Sequence, residues 1–155
     1  MSSLLKKEKG FTLIEIVLVL AIAGLILLMV FLAVSGAQKS RRDTQRKNDL
    51  ARVAAQVEDY ASNNAGVYPV SQAAFAAIMG AGGAYALSNA NDPLAGVGYD
   101  YAGAQTPSGG TPAGIAYTVG GAGVTACDGV TAMTGARNFK VVMSLEQGTD
   151  CVDNQ

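Results

Sequence analysis

The sequence contains no histidine and no tryptophan, and charged residues make up only 15% of it. Without histidine, neither a Ser-His nor a Cys-His catalytic pair can form, and no imidazole can bind a metal. The glycine-rich residues 120 to 123 are not followed by the lysine that a phosphate-binding loop requires. We therefore expect the protein not to be an enzyme.

Charge of either sign is absent from a long stretch near the N-terminus. Residues 16 to 34 are nineteen consecutive residues without a charged or polar side chain. As a helix they would span roughly 28 Å, close to the hydrocarbon thickness of a bilayer. This stretch, the apolar run, therefore predicts a transmembrane helix.

Basic residues flank the apolar run on both sides. Three lysines precede it, and five cations follow: Lys39, Arg41, Arg42, Arg46 and Lys47. The positive-inside rule applied to the first group places the N-terminus in the cytoplasm, whereas the second group argues for the opposite orientation. Because a long downstream domain can translocate regardless of flanking charge, we expect the N-terminus to be cytoplasmic.

Glu15 lies at the start of the apolar run, where a carboxylate is costly unless a partner neutralises it. An ordinary secretory signal cleaved after Ser35 would release a soluble binding domain that begins at Gly36. That signal would have an unusually long apolar region, because 7–15 residues are typical. A plain signal anchor is a further alternative. Both alternatives leave Glu15 without a role.

Lys6-Lys7-Glu8-Lys9-Gly10, followed by Phe11-Thr12-Leu13-Ile14-Glu15, resembles the leader and N-terminus of type IV prepilins and their pseudopilin relatives. Several further places in the chain are similar to pseudopilin G and related pilins. They are residues 42 to 50, Tyr60, Tyr68-Pro69, and the Asp92-Pro93 pair that precedes residues 99 to 101. Residues 141 to 146 match loosely a late strand of that group. The apolar run lacks the proline of many bacterial pilins, and Leu32 stands about where it would lie.

The resemblance implies that a prepilin peptidase cuts after Gly10 and methylates the new amino group of Phe11. Glu15 would pair with the N-terminal ammonium of a neighbouring subunit and set the register of a filament. The segments would be a leader (1–10), a transmembrane and assembly segment (11–36) and a globular part (37–155). The precursor would lie in the cytoplasmic membrane, and the assembled filament at the cell surface.

The implied partners are further copies of the chain, the prepilin peptidase, and an assembly platform with its ATPase. An alternative within the same class is a pseudopilin of a type II secretion or DNA-uptake machine.

Loss of the leader removes three lysines and one glutamate, which takes the formal side-chain charge from −1 to −3. A net negative charge of this size does not indicate nucleic-acid binding.

Beyond the apolar run the helix is expected to continue to Asn63-Asn64-Ala65-Gly66, with Gly66 as a left-handed cap. An apolar stripe at three- and four-residue steps predicts packing under a sheet. The polar residues 39 to 49 are interpreted as a solvated helix face, with Arg46–Asp49 and Asp49–Arg52 as stabilising pairs. The stripe consists of Leu50, Val53, Ala54, Val57 and Ala61.

The rest of the chain predicts a short helix over residues 72 to 79 and strands over 98 to 102, 115 to 119 and 139 to 145. An antiparallel meander packed on the outer half of the long helix follows, which makes the fold class α+β. Five tyrosines are expected to pack in the core and on the sheet rather than form a binding cage. They are Tyr60, Tyr68, Tyr99, Tyr101 and Tyr117.

Two cysteines, Cys127 and Cys151, fall in the part expected outside the cell, where disulfides persist. We expect them to form a disulfide, with two free thiols as the alternative. Asp128, Asp150 and Asp153 lie near them and are weak candidates for calcium ligands. Because no EF-hand spacing is present, we expect solvated carboxylates and no cofactor.

Overall fold

The computed structural model describes residues 10–103 and 105–154. The predicted leader therefore lies outside the described residues, except for Gly10. The elements in chain order are α1 (Leu13–Asn63), α2 (Gln72–Met79), β1 (Ile115–Val119), β2 (Phe139–Leu145) and β3 (Gly148–Asp153). The chain divides into two compact units between Gln38 and Lys39. The second unit is called the head below.

In the first unit, α1 contains the apolar run as uninterrupted helix. Its most apolar 18-residue window has a mean hydropathy of 3.3, and no part of that window is buried within the chain. By length and composition this is a helix that could cross a membrane. The transmembrane prediction is therefore consistent with the structure.

The far end of α1 lies in the head and stops where the sequence predicts. The N–H of Gly66 donates to the carbonyl of Ala61 over 2.8 Å, and Gly66 has a φ of 80°. Glycine adopts this left-handed conformation without the steric cost that a Cβ would bring. The predicted glycine cap is confirmed.

The sheet is a three-stranded antiparallel meander in the order β1-β2-β3. Tyr117 pairs with Val141 in the first ladder, and Val141 pairs with Val152 in the second. The bounds of α2, β1 and β2 agree with the predicted ones. The Gln72 side chain covers the outer edge of β1: its amide donates to the carbonyl of Ile115 and accepts from the N–H of Tyr117.

One strand assignment made from the sequence is wrong, and one strand was missed. Residues 98 to 102 form isolated bridges and not a strand, because the Asp100 carboxylate accepts the N–H of Ala102 and turns the chain. Strand β3 was not predicted, since no residue of this edge strand is fully buried and no apolar alternation marks it. The predicted fold class, α+β with a long N-terminal helix and a small antiparallel sheet, is nevertheless confirmed.

The core of the head lies between α1, α2 and the sheet. The whole predicted stripe of α1 is buried, and Leu50, Val53 and Val57 have no exposed surface. Phe75 of α2 stacks on Tyr117 with ring centroids 4.8 Å apart. Tyr99 and Tyr117 belong to the core, and Tyr68 and Tyr101 pack against it, as predicted for these four of the five tyrosines. Tyr60 instead packs edge-on against Tyr85, with ring centroids 5.5 Å apart.

Candidate functional site

The start of α1 holds the residues that the sequence singles out. Gly10 and Phe11 precede the helix, and Phe11 is 79% exposed. The Thr12 hydroxyl accepts the N–H of Glu15 at 3.3 Å, and the Glu15 carboxylate accepts the N–H of Thr12 at 3.5 Å. This reciprocal pair is a capping box. The Thr-x-x-Glu spacing of Thr12 and Glu15 is the sequence signal for it.

The apolar run exposes its side chains on all faces of the helix. Phe31 and Leu32 are 74% and 72% exposed, and the other large residues of the run are at least 44% exposed. A monomeric soluble protein rarely exposes so large an apolar surface. Contact of this surface with water is unfavourable, so lipid or the apolar helices of other protein chains must cover it.

A cluster of buried charges lies in the head. The Arg46 side chain has no exposed surface and lies at the centre of the cluster. Its Nε and Nη2 donate to the two oxygens of Asp92 at 2.8 and 3.1 Å, and its Nη1 donates to Asp43 at 2.8 Å and Glu146 at 3.0 Å. Arg42 adds two bonds to Glu146, at 2.6 and 2.8 Å. These five residues are called the Arg46 cluster.

The Arg46 cluster joins three segments that are distant in sequence. Besides Arg46, Asp43 accepts the N–H groups of Glu146 and Gln147, which form the turn between β2 and β3. Asp92 accepts three backbone N–H groups as well. Two guanidinium groups and five backbone donors thus satisfy three carboxylates. Such complete pairing is the condition under which buried charge is tolerated.

The cluster shifts the pKa values of its acids. Burial opposes the ionisation of Asp92, but hydrogen bonds from Arg46 and the backbone outweigh it and lower its pKa to about 2. Hydrogen bonds from Arg42 are the main reason why the pKa of Glu146 is also lowered to about 2, against the effect of burial. Both groups therefore stay ionised in mildly acidic solution.

We expect the head to lose stability in acid because of these two groups. Their ordinary pKa values are 3.8 and 4.5, so their contribution is fully present above about pH 4.5 and is lost as the pH falls toward 2. Since the chain has no histidine, the free energy of unfolding should change little between about pH 5.5 and 7.5. Denaturant unfolding at a series of pH values from about 2.5 to 7.5 measures both effects, and a free energy of unfolding that stays constant down to about pH 2.5 would contradict the expectation.

The interpretation of residues 39 to 49 as a solvated face is wrong for three of them. Asp43, Arg46 and Asp49 are buried. Arg46 bonds to the three carboxylates of the Arg46 cluster and not to Asp49. The predicted Asp49–Arg52 pair is present, at 3.0 Å. Tyr99, whose pKa is raised by burial, donates its hydroxyl to Asp49. The periodicity of the sequence indicates this burial, because positions 43, 46 and 50 follow the same three- and four-residue steps as the buried stripe of α1.

The same pairing bears on the five cations that follow the apolar run. Arg42 and Arg46 are neutralised within the Arg46 cluster, and Lys47 lies 3.7 Å from Asp150. Among the described residues, only Lys39 and Arg41 of the five have no ion pair. Three of the five cations are therefore already paired with carboxylates in the folded head.

Cys127 and Cys151 form a disulfide that links the loop between β1 and β2 to β3. The three nearby aspartates have separate contacts: Asp128 accepts bonds from Val130 and Thr131, Asp150 faces Lys47, and Asp153 accepts the N–H of Cys127. Within residues 10–103 and 105–154, no group of three acidic, cysteine or histidine side chains could hold a metal ion. Calcium binding stays a weak prediction without a formed site.

A family model described as the prokaryotic N-terminal methylation motif matches residues 5–31, which is less than a fifth of the chain. Comparisons with curated proteins and with solved structures found no match. The matched residues include Gly10, Phe11, Glu15 and most of the apolar run. The match supports a type IV pilin-like precursor.

Proposed function

We propose that the protein is a structural, non-enzymatic subunit of a type IV pilus-like filament that polymerises through the first half of α1. The observation that carries the proposal is the methylation motif on a helix whose apolar run is wholly exposed in the single chain. Lipid would cover that surface in the precursor, and sister helices would cover it in the filament. The precursor would be a single-pass protein of the cytoplasmic membrane, with its N-terminus in the cytoplasm.

Processing would expose the chemistry that assembly needs. Cleavage after Gly10 would create an ammonium group on Phe11, which the prepilin peptidase would then methylate. In an apolar bundle of helices, that ammonium and the Glu15 carboxylate would each need a partner of opposite charge. Pairing between neighbouring subunits would set the axial register. An assembly platform and its ATPase would supply the work of extraction from the membrane.

A second candidate is a pseudopilin of a type II secretion or DNA-uptake machine. The observations in its favour are the small head, with one three-stranded sheet, and the pseudopilin G-like residues 42 to 50. A pseudopilin would use the same processing and the same helix packing. Deletion of the gene separates the two: loss of surface filaments indicates a pilus, and loss of secretion or transformation without visible filaments indicates a pseudopilus.

The experiment that tests processing compares two substitutions that block different peptidases. Gly10→Leu should leave full-length precursor in the membrane, because a bulky residue replaces the glycine at the cleavage site. Ser35→Leu should be processed normally, although it would block an ordinary signal peptidase that cuts after Ser35. Immunoblots of membrane fractions resolve the two forms. Accumulation of precursor in Ser35→Leu alone would refute the prepilin assignment.

A further inference from the structure

The head contains an apolar pocket that is lined by residues between positions 79 and 101. Its volume is about 450 Å³, and its wall includes Met79, Leu87, Tyr99 and Tyr101. None of the described residues that line it is charged, and Gly98 leaves part of the wall open. Its described lining contains one amide, that of Asn91, and two tyrosines among apolar side chains, so the pocket suits an apolar protein side chain better than a charged metabolite.

The same chain presents an apolar projection of matching chemistry. Val130 is 84% exposed, more than any other large apolar residue of the head. It lies in the tip segment, residues 128 to 131, where the Asp128 carboxylate accepts the N–H groups of Val130 and Thr131. The adjacent Cys127 is held by the disulfide to β3. The tip is thus pre-organised, which reduces the entropy lost on docking.

Charge favours the same pairing. Asp128 is exposed, and its hydrogen bonds to Thr131 and Val130 lower its pKa, so the tip carries a negative charge. Arg52 is 51% exposed and lies near Tyr101, where its charge partly opposes the rise that burial causes in the pKa of that tyrosine. Within the part of the chain that the structure describes, only its Nη1 is engaged, with Asp49, which leaves other N–H donors of the guanidinium for an incoming carboxylate.

We propose that the tip segment of one copy docks into the apolar pocket of the next copy. The two surfaces are different parts of one head and share no residue. A contact between them is therefore heterologous, and such contacts build rings or open helical assemblies instead of two-fold dimers. The proposal rests on the proposed function, because it supplies a second, head-to-head contact along the filament that α1 builds.

Two substitutions test the contact from its two sides. Val130→Asp adds a charge to the tip, and Gly98→Leu adds a large side chain at the pocket wall, where a Cβ would meet no atom within 4 Å and the backbone is not left-handed. Burial of one valine corresponds to about a tenfold change in an equilibrium constant. Each variant should therefore yield about tenfold less filament on shearing. The matched controls, Val70→Asp and Gly121→Leu, should yield as much as the unmodified chain.

Cross-linking then identifies what fills the pocket. Full-length chain with the photoreactive residue p-benzoylphenylalanine at position 130 is irradiated in sheared filaments, and linked peptides are mapped by mass spectrometry. The proposal predicts a link from position 130 to residues 79 to 101 of a second copy. Filaments with N-methylated Phe11 but with links elsewhere, to another protein, or with no links would overturn the docking and leave the filament proposal standing. Failure of the unmodified chain to form any filament would overturn both.

Discussion

Replacing Arg46 by methionine is expected to lower the free energy of unfolding of the head by about 3–5 kcal/mol. Methionine keeps much of the length of the side chain, so the effect comes from charge more than from a cavity. Asp43, Asp92 and Glu146 would lose their shared cation while remaining largely buried. An unpaired buried carboxylate is far costlier than an exposed one, because the protein interior solvates charge poorly.

The measurement is denaturant unfolding of the full-length chain in detergent, followed by the near-ultraviolet circular dichroism of the buried tyrosines. The matched control is Arg41→Met, because Arg41 is exposed on the same helix and has no ion pair among the described residues. It should change the free energy of unfolding by no more than about 0.5 kcal/mol. Equal effects of the two substitutions would show that the Arg46 cluster does not hold the head together.

Substitution of Glu15 is expected to abolish filament assembly without preventing membrane insertion or cleavage after Gly10. The physical reason is the loss of the only carboxylate near the new ammonium group of Phe11 in an apolar environment. The capping box complicates a simple alanine substitution, because Glu15 also accepts the N–H of Thr12 in the single chain. Glu15→Ala removes both interactions at once.

Glu15→Gln separates the two roles, since glutamine at this position of a capping box can still bond the Thr12 N–H. If pairing of charges sets the register, both variants should be cleaved, N-methylated and unassembled. Electron microscopy and shearing yields measure assembly, and the mass of the membrane form measures processing. Normal filaments from Glu15→Gln would assign the role of Glu15 to helix capping and refute the charge pair.

Local patterns were sufficient for most elements of the head. The alternation of Phe139, Val141 and Met143 predicts β2, and the three- and four-residue steps from Leu50 to Ala61 predict the buried face of α1. Strand β3 escapes such reasoning because it pairs at an edge and buries little. Its position depends on the hairpin after Leu145 and on the Cys151 disulfide, and neither has a local periodicity.

The Arg46 cluster could not be predicted for a related reason. Its members come from α1, the Asp92 turn and the β2–β3 hairpin, so no short window of sequence contains the pairing. Charged residues on a helix are usually solvated, and only their phase with Leu50 indicates burial here. By contrast, the motif that predicts processing and assembly is local: the lysines, Gly10, Glu15 and the apolar run follow one another within residues 6 to 34.

The central claim is tested most directly by the N-terminal residue and intact mass of the chain recovered from sheared cell-surface material. The account predicts a chain that begins at Phe11 and carries one methyl group on its amino nitrogen. A chain that begins at Gly36 would show an ordinary secreted domain. Intact Met1 found only in membranes would show a signal anchor, and either result would contradict the filament assignment.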